Sequence, residues 1–303
     1  MTAFSRLILI MLLWAHCFPL IAIGTQAAPH LTFAAMRAMV AGSVLFVLAL
    51  LAGHKIPRSR CQWGLLTIVG FGATSLGFLG MFHAAEFVSP GIATVVANTQ
   101  PLLAALLGVF VLNERIGLVS GVGLMIGFLA KLVIAVPQRV GPGGQTYLIG
   151  LAYIVLAATG ISISNVVIKR LAGTISGLMA MGLQLLLGSI PLAVAASVLE
   201  SPAQIDWSVT FVIVLLALSL LGTALVYWLW MSVLATVPLT RANAFSFLIS
   251  IFGLAIGALF YGESFGSSQL IGILLAIGGV WMVSYGYRKG SSTHALSTVD
   301  PKL

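Results

Sequence analysis

Apolar residues run along this chain in long blocks, parted by short polar or turn-forming stretches. A block of about 20 apolar residues is long enough to cross a bilayer as a helix. Ten such blocks can be marked, at about 6–25, 31–52, 62–83, 89–112, 117–136, 147–169, 176–199, 209–231, 240–260 and 268–287. The breaks carry turn chemistry: Ala28-Pro29-His30, Lys55-Ile56-Pro57-Arg58-Ser59-Arg60, Gly141-Pro142-Gly143-Gly144 and Glu200-Ser201-Pro202. The first block is too long, and too continuous with the second, for a cleaved signal peptide, and reads as a retained helix. Beyond Arg288-Lys289 the chain is polar and rich in Ser and Thr, which predicts an unstructured tail over 288–303.

One block occurs twice. Pro90 to Glu114 opens on proline, runs apolar for a bilayer's thickness and closes on Glu114-Arg115; Pro238 to Glu263 has the same opening, nearly the same length and the same closing acid. The run Gly121-Val-Gly-Leu-Met-Ile-Gly127 after the first copy lines up with Gly272-Ile-Leu-Leu-Ala-Ile-Gly278 after the second. A repeat of about 150 residues implies two halves of one design, 1–140 and 141–287. Five spans per half is an odd number, so the second half enters the membrane from the opposite side. The expected fold is an all-α polytopic membrane protein of ten transmembrane helices arranged as two inverted five-helix repeats. Inverted repeats that meet at the midplane and rock around a site there are the geometry of secondary transporters.

Composition sharpens the class. The chain is 60% hydrophobic and 7% charged, which excludes a water-soluble domain of 303 residues. A net charge of +8 would suggest nucleic acid in a soluble protein, but here the charges are segregated. With the N-terminus inside, inner loops and ends hold Arg6, Lys55, Arg58, Arg60, Arg115, Lys169, Arg170, Arg241, Arg288, Lys289 and Lys302, while the outer loops hold Arg139 alone among Lys and Arg. Cytoplasmic loops collect basic residues, so both termini are expected in the cytoplasm. Cys17 lies in the first block and Cys61 in a basic loop, and no disulfide framework is expected.

Ten spans in two halves, with a proline-led fourth and ninth helix ending at Glu, resemble the drug/metabolite transporter superfamily and its EamA-type branch. The most specific part is Ala85-x-x-x-Ser89-Pro90-x-x-Ala93, then Pro101-Leu102 and Glu114-Arg115. Arg37 also sits where such proteins commonly carry an arginine. The ninth helix departs from the pattern, with Leu248 or Ile249 where the repeat places Pro101 and Ser264 where it places Arg115. The resemblance implies a central cavity lined by helices 1, 3, 4, 6, 8 and 9, and export of amino acids, related metabolites or lipophilic cations across a bacterial inner membrane. Exporters of aromatic and other neutral amino acids, the YddG-like group, are the relatives it suggests.

Polar groups inside hydrocarbon are costly unless partnered or wet, which makes them candidates for lining such a cavity. In helix 4 these are Asn98 and Gln100, beside Pro101, which removes a backbone donor and frees a carbonyl near Ala97. In helix 9 they are Asn243 and Ser246, with Ser250 on the same face. Helix 1 offers Trp14 and His16, with Pro19 as a kink; a Trp this deep can stack on a planar substrate. Tyr227 in helix 8, Phe78 and Phe82 in helix 3, and Ser164 and Asn165 in helix 6 complete the set. Arg37 reads either as a snorkelling anchor or as a partner for a substrate carboxylate. The plain alternative for each is helix packing, and for the serines that is the commoner role. Glu114 and Glu263 are expected to cap the helices that come after them, or to pair with a nearby base. The glycines of helices 5, 9 and 10 suit close internal packing, with a dimer contact as the alternative, so a monomer or weak homodimer is expected.

No phosphate-binding loop, metal-ligand cluster or catalytic set is present, so neither ATP, a metal nor any other cofactor is expected, and an enzyme or sensor is disfavoured. No Asp or Glu falls within an apolar block, which points to facilitative transport of a small molecule, or to coupling through an unusual group such as His16.

Overall fold

The computed structural model describes residues 2–84, 100–114, 116–135, 144–201, 204–261 and 267–297, and no strand occurs among them. The helices are α1 (Ala3–Gly24), α2 (His30–Leu51), α3 (60–84), α4 (Gln100–Leu112), α5 (Leu118–Ala135), α6 (Gly144–Leu171), α7 (Gly177–Leu199), α8 (209–234), α9 (239–261) and α10 (Ser267–Ser297). Six stretches are long and apolar enough to cross a membrane, in α1, α2, α3, α6, α7 and α8. The described parts of α4, α5 and α10 include shorter apolar helices.

Packing follows the small residues. α2 lies against α7, and α5 against α10. α3 rests on α6 and α7, while α8 rests on α1 and α2; α4 packs on α6, and α9 on α1. These contacts map onto one another when each helix is exchanged for the one five places along. In the α5–α10 seam, a Cβ placed on Gly123 would stand 2.8 Å from Met282 Cβ and 2.9 Å from the Gly279 carbonyl, so the two backbones touch. The expected internal packing of helix 5 therefore holds at Gly123. Gly117 and Gly253, by contrast, have open space where a side chain would go.

Two helices widen into π turns, at Gly70–Leu76 in α3 and Leu220–Leu225 in α8. π bulges loosen the backbone ladder and recur at functional sites. A third irregularity is the break in α9 between Leu239–Ala244 and Phe247–Tyr261. There the amides of Phe245, Ser246, Leu248 and Ile249 each bond three residues back rather than four, a tightened turn in mid-helix.

Pro19 and Pro101, which the sequence offers as hinges, both lie in described helices. Pro19 lies inside α1, which continues past it to Gly24. Pro101 lies in α4, and the residues before Gln100, with the carbonyl near Ala97, lie outside the described residues. The helix interruption that is visible belongs to α9. The tail also differs: α10 runs on to Ser297.

Candidate functional site

Five side chains from four helices meet where α9 breaks. Asn243, buried on the last described turn before the break, is their centre. Its Oδ1 accepts from Gln100 Nε2 of α4 at 3.3 Å and from Asn165 Nδ2 of α6 at 3.5 Å. Its own amide donates to the Leu239 carbonyl at 3.0 Å. Asn165 Oδ1 in turn accepts from the Trp230 indole of α8 at 2.9 Å, and Ser162 donates to the Gln100 carbonyl at 3.3 Å. Trp14 of α1 packs its ring against Trp230, with centroids 5.6 Å apart. The result is a connected set of amides beside two indoles, formed from both halves of the chain. A buried network of this kind has to be fully partnered, which fixes its geometry.

Arg37 forms a second focus. It is 5% exposed, on α2 about 10 Å from the helix start at 1.5 Å per residue. Nε donates to Thr223 Oγ1 at 2.7 Å, and Nη2 to the Gly222 carbonyl at 3.3 Å and toward Cys17 Sγ at 3.6 Å. Two of these partners belong to the π turn of α8, whose Thr223 hydroxyl reaches back to the Leu218 carbonyl at 2.9 Å. The guanidinium lies over the Phe78 ring, 5.0 Å from its centroid. Phe78, Phe82 and Phe33 form a buried aromatic row beneath it.

Two carboxylates join the halves at opposite ends of the bundle. Pro238 and Pro29 occupy the N-cap positions of α9 and α2 and offer no side-chain acceptor. Glu114, just past α4, supplies one instead: its oxygens accept from the amides of Leu239 (2.6 Å) and Thr240 (3.1 Å) and from the Thr240 hydroxyl (2.8 Å). Glu200, just past α7, does the same for Leu31 (2.8 Å), Thr32 (2.7 Å) and the Thr32 hydroxyl (2.8 Å). Acids at helix N-termini satisfy orphan donors and meet the positive end of the dipole. Gly108 leaves room for the first clasp, since a Cβ there would lie 3.2 Å from both Glu114 Oε2 and Thr240 Oγ1. Asn113, in the left-handed region at φ 53°, turns the chain so that Glu114 points at α9. Glu114 does cap a helix, then, but α9 of the other half rather than α5, the next along the chain. Lys169 strengthens the same end, donating to the Leu234 and Val237 carbonyls at 2.6 Å each.

Of the residues singled out from sequence, Gln100, Asn165, Asn243 and Trp14 come together. Ser246 lies at the α9 break and is buried; Tyr227 is half-buried on α8 between Thr223 and Trp230. Arg37 and Phe78 form the second focus, with Phe82 adjoining. Ser164 instead packs α6 onto α3, donating to the Val69 carbonyl at 3.3 Å. His16 is engaged by its own helix, Nδ1 lying 2.8 Å from the Leu12 carbonyl. Asn98 and Glu263 lie outside the described residues. Trp230 and the Cys17–Gly222–Thr223 support of Arg37 are additions that the sequence pattern does not single out. For Trp230 the signal is present but ambiguous, since an aromatic near a span's end also suits the membrane interface. Among the described residues no group of three His, Cys, Asp or Glu could hold a metal.

Comparison with known proteins places this geometry in context. The family pattern described as "EamA-like transporter family" matches residues 2–136 and again 148–285. A Salmonella typhimurium protein named "Probable amino-acid metabolite efflux pump" is 27% identical over 294 residues, covering 93% of this chain and 94% of its own. YvbV of Bacillus subtilis, an uncharacterized transporter, is 23% identical and covers 91% and 89% respectively. A WAT1-related chloroplastic protein of Arabidopsis thaliana is 28% identical, and the chain spans 62% of its length. A solved crystal structure superposes with a TM-score of 0.82 at 18% identity, covering 95% of this chain and 98% of that one, which shows a shared fold.

Proposed function

The chain belongs to the EamA-like transporter family of the drug/metabolite transporter superfamily and is a multi-pass membrane transporter, not an enzyme; from that premise we propose that it exports amino acids and related metabolites. The observation that carries this is the Asn243-centred amide cluster beside Trp14 and Trp230, built across both halves at the break in α9. Amides supply donors and acceptors to a zwitterion's polar groups, and the indoles supply a flat apolar wall. The efflux role that two relatives carry in their names, at 27% and 25% identity, supports the same substrate class. Asn98 is proposed as a further lining group, and neutral or aromatic amino acids as the preferred cargo.

The mechanism proposed is alternating access between two inverted five-helix repeats. The five-place exchange symmetry of the contacts, the paired π turns of α3 and α8, and a family match on each half all support it. In this reading the Glu114 clasp closes one end of the passage and the Glu200 clasp fastens the other. Both termini face the cytoplasm of a bacterial cell, by the segregation of basic residues, and the protein works as a monomer or weak dimer. Transport is facilitative, because the apolar blocks carry no acid and both described inter-half carboxylates are engaged in capping helices. Uphill accumulation driven by an imposed proton gradient in proteoliposomes would overturn facilitation.

A second reading, efflux of lipophilic cations, draws on one observation. A groove of about 590 Å³ between α1, α9 and α10 is lined by Phe4, Phe245, Phe252, Trp281 and Tyr285. A counterflow screen of the twenty amino acids and a quaternary ammonium dye separates the two. Competition by amino acids and not by the dye is expected; competition by the dye alone would replace the first reading with the second.

A further inference from the structure

We propose that Arg37 is the carboxylate-binding subsite of this transporter, so that the cargo is a small carboxylic acid held by its acid end. This rests on the amino-acid reading above and specifies how such a molecule is oriented.

A charged group inside a spanning helix is costly to bury and is retained where it is paired or used. Arg37 is buried, yet among the described residues no carboxylate lies within ion-pair distance of it. Glu114 and Glu200, the described acids nearest the helix ends, are committed to backbone amides at the two ends of the bundle. The acceptors that Arg37 does have are neutral: a hydroxyl, one backbone carbonyl and a thiol. They occupy Nε and Nη2 and leave the Nη1 edge without an acceptor among the described residues. The N–H groups of Nη1 remain to donate charge-assisted bonds to a carboxylate oxygen.

Its support is rigid. The carbonyl of Gly222 and the hydroxyl of Thr223 belong to the π turn, and a Cβ on Gly222 would meet Cys17 Sγ at 2.6 Å, so α1 and α8 are locked together behind the guanidinium. Phe78 covers one face of the planar group at 5.0 Å. Along α8, Thr223, Tyr227 and Trp230 are spaced four and three residues apart and share a side of the helix. Thr223 and Trp230 are thus about 10 Å apart along the axis. On α1, Cys17 and Trp14 repeat the arrangement three residues apart. The rings of Tyr227, Trp14 and Trp230 therefore run from the guanidinium to the amide cluster. A carboxylate on Arg37 leaves the apolar body of an amino acid along those rings.

The test uses full-length protein in detergent and reads the quenching of its own tryptophans. Four probes share one aromatic body: L-phenylalanine, L-phenylalaninamide, 3-phenylpropionate and phenethylamine. The wild type is expected to bind the two acids at least tenfold more tightly than the two compounds that lack a carboxylate. Arg37→Gln is expected to abolish that preference, and Arg37→Lys to restore part of it. Equal binding of acid and amide by the wild type overturns the subsite while leaving amino-acid export standing, as does a preference that survives Arg37→Gln. No binding of any probe by the wild type overturns both. The wild-type ratio carries the decision if Arg37→Gln does not fold.

Discussion

The carboxylate of Glu114 lies 2.6 Å from the backbone amide of Leu239, 125 residues further along the chain. It replaces the side-chain cap that Pro238 cannot give. A lost N-cap costs about 0.5–2 kcal/mol, and this one also joins the two halves. Glu114→Ala is therefore expected to lower the melting temperature by a few degrees. A cysteine at buried Ala242, with Cys17 and Cys61 replaced by Ala, should then react faster with a water-soluble thiol reagent. An unchanged labelling rate would show that the clasp does not hold that end shut.

Glu200 holds Leu31 and Thr32 with nearly the same geometry, at the far end of α1 from the first clasp. Sites that far apart contribute independently, within about 0.5 kcal/mol. The double variant Glu114→Ala/Glu200→Ala should lose the sum of the two single losses in thermal stability. A marked departure from additivity would mean that the two ends are mechanically coupled in the resting protein.

Asn243 is the acceptor for the buried amide of Asn165 and the half-buried amide of Gln100. Asn243→Ala leaves Gln100 and Asn165 without it, at about 1–3 kcal/mol for a buried unsatisfied group. Transport in proteoliposomes should fall at least tenfold, with the amount of folded protein nearly unchanged. Gln100→Ala removes only one donor and should have a smaller effect on transport. If both variants lose transport only in proportion to folded protein, the cluster is packing and nothing more.

Gly123 and Gly253 are both glycines within apolar helices, but they should respond oppositely. Gly123→Leu drives a side chain into the α10 backbone and is expected to prevent folding or lower the melting temperature sharply. Gly253→Ala meets nothing within 4 Å and gains helix propensity of about 0.5–1 kcal/mol, so it should be neutral or stabilising. Melting curves of the two purified variants check both.

The helical class and the approximate positions of the six long spans were legible because hydrocarbon demands long apolar runs. Gln100, Asn165 and Asn243 were legible as candidates because an amide inside such a run stands out. Their convergence on one oxygen was not, since it depends on how four helices rotate about their axes. The role of Glu114 was half legible. An acid at a helix end needs donors, but only the fold shows that the nearest ones belong to α9. For His16 the fold adds one partner from its own helix, the Leu12 carbonyl, which the residue pattern does not show. The π turns of α3 and α8 left no mark beyond a glycine or two, because small residues also serve ordinary packing.

The α5–α10 seam sets a boundary on how the molecule can work. Main chain rests on main chain at Gly123 and Gly279, with no side chain between them that could swing aside. In the alternating-access mechanism proposed above, such a joint serves as the fulcrum. In that proposal the two halves turn about this line rather than through it.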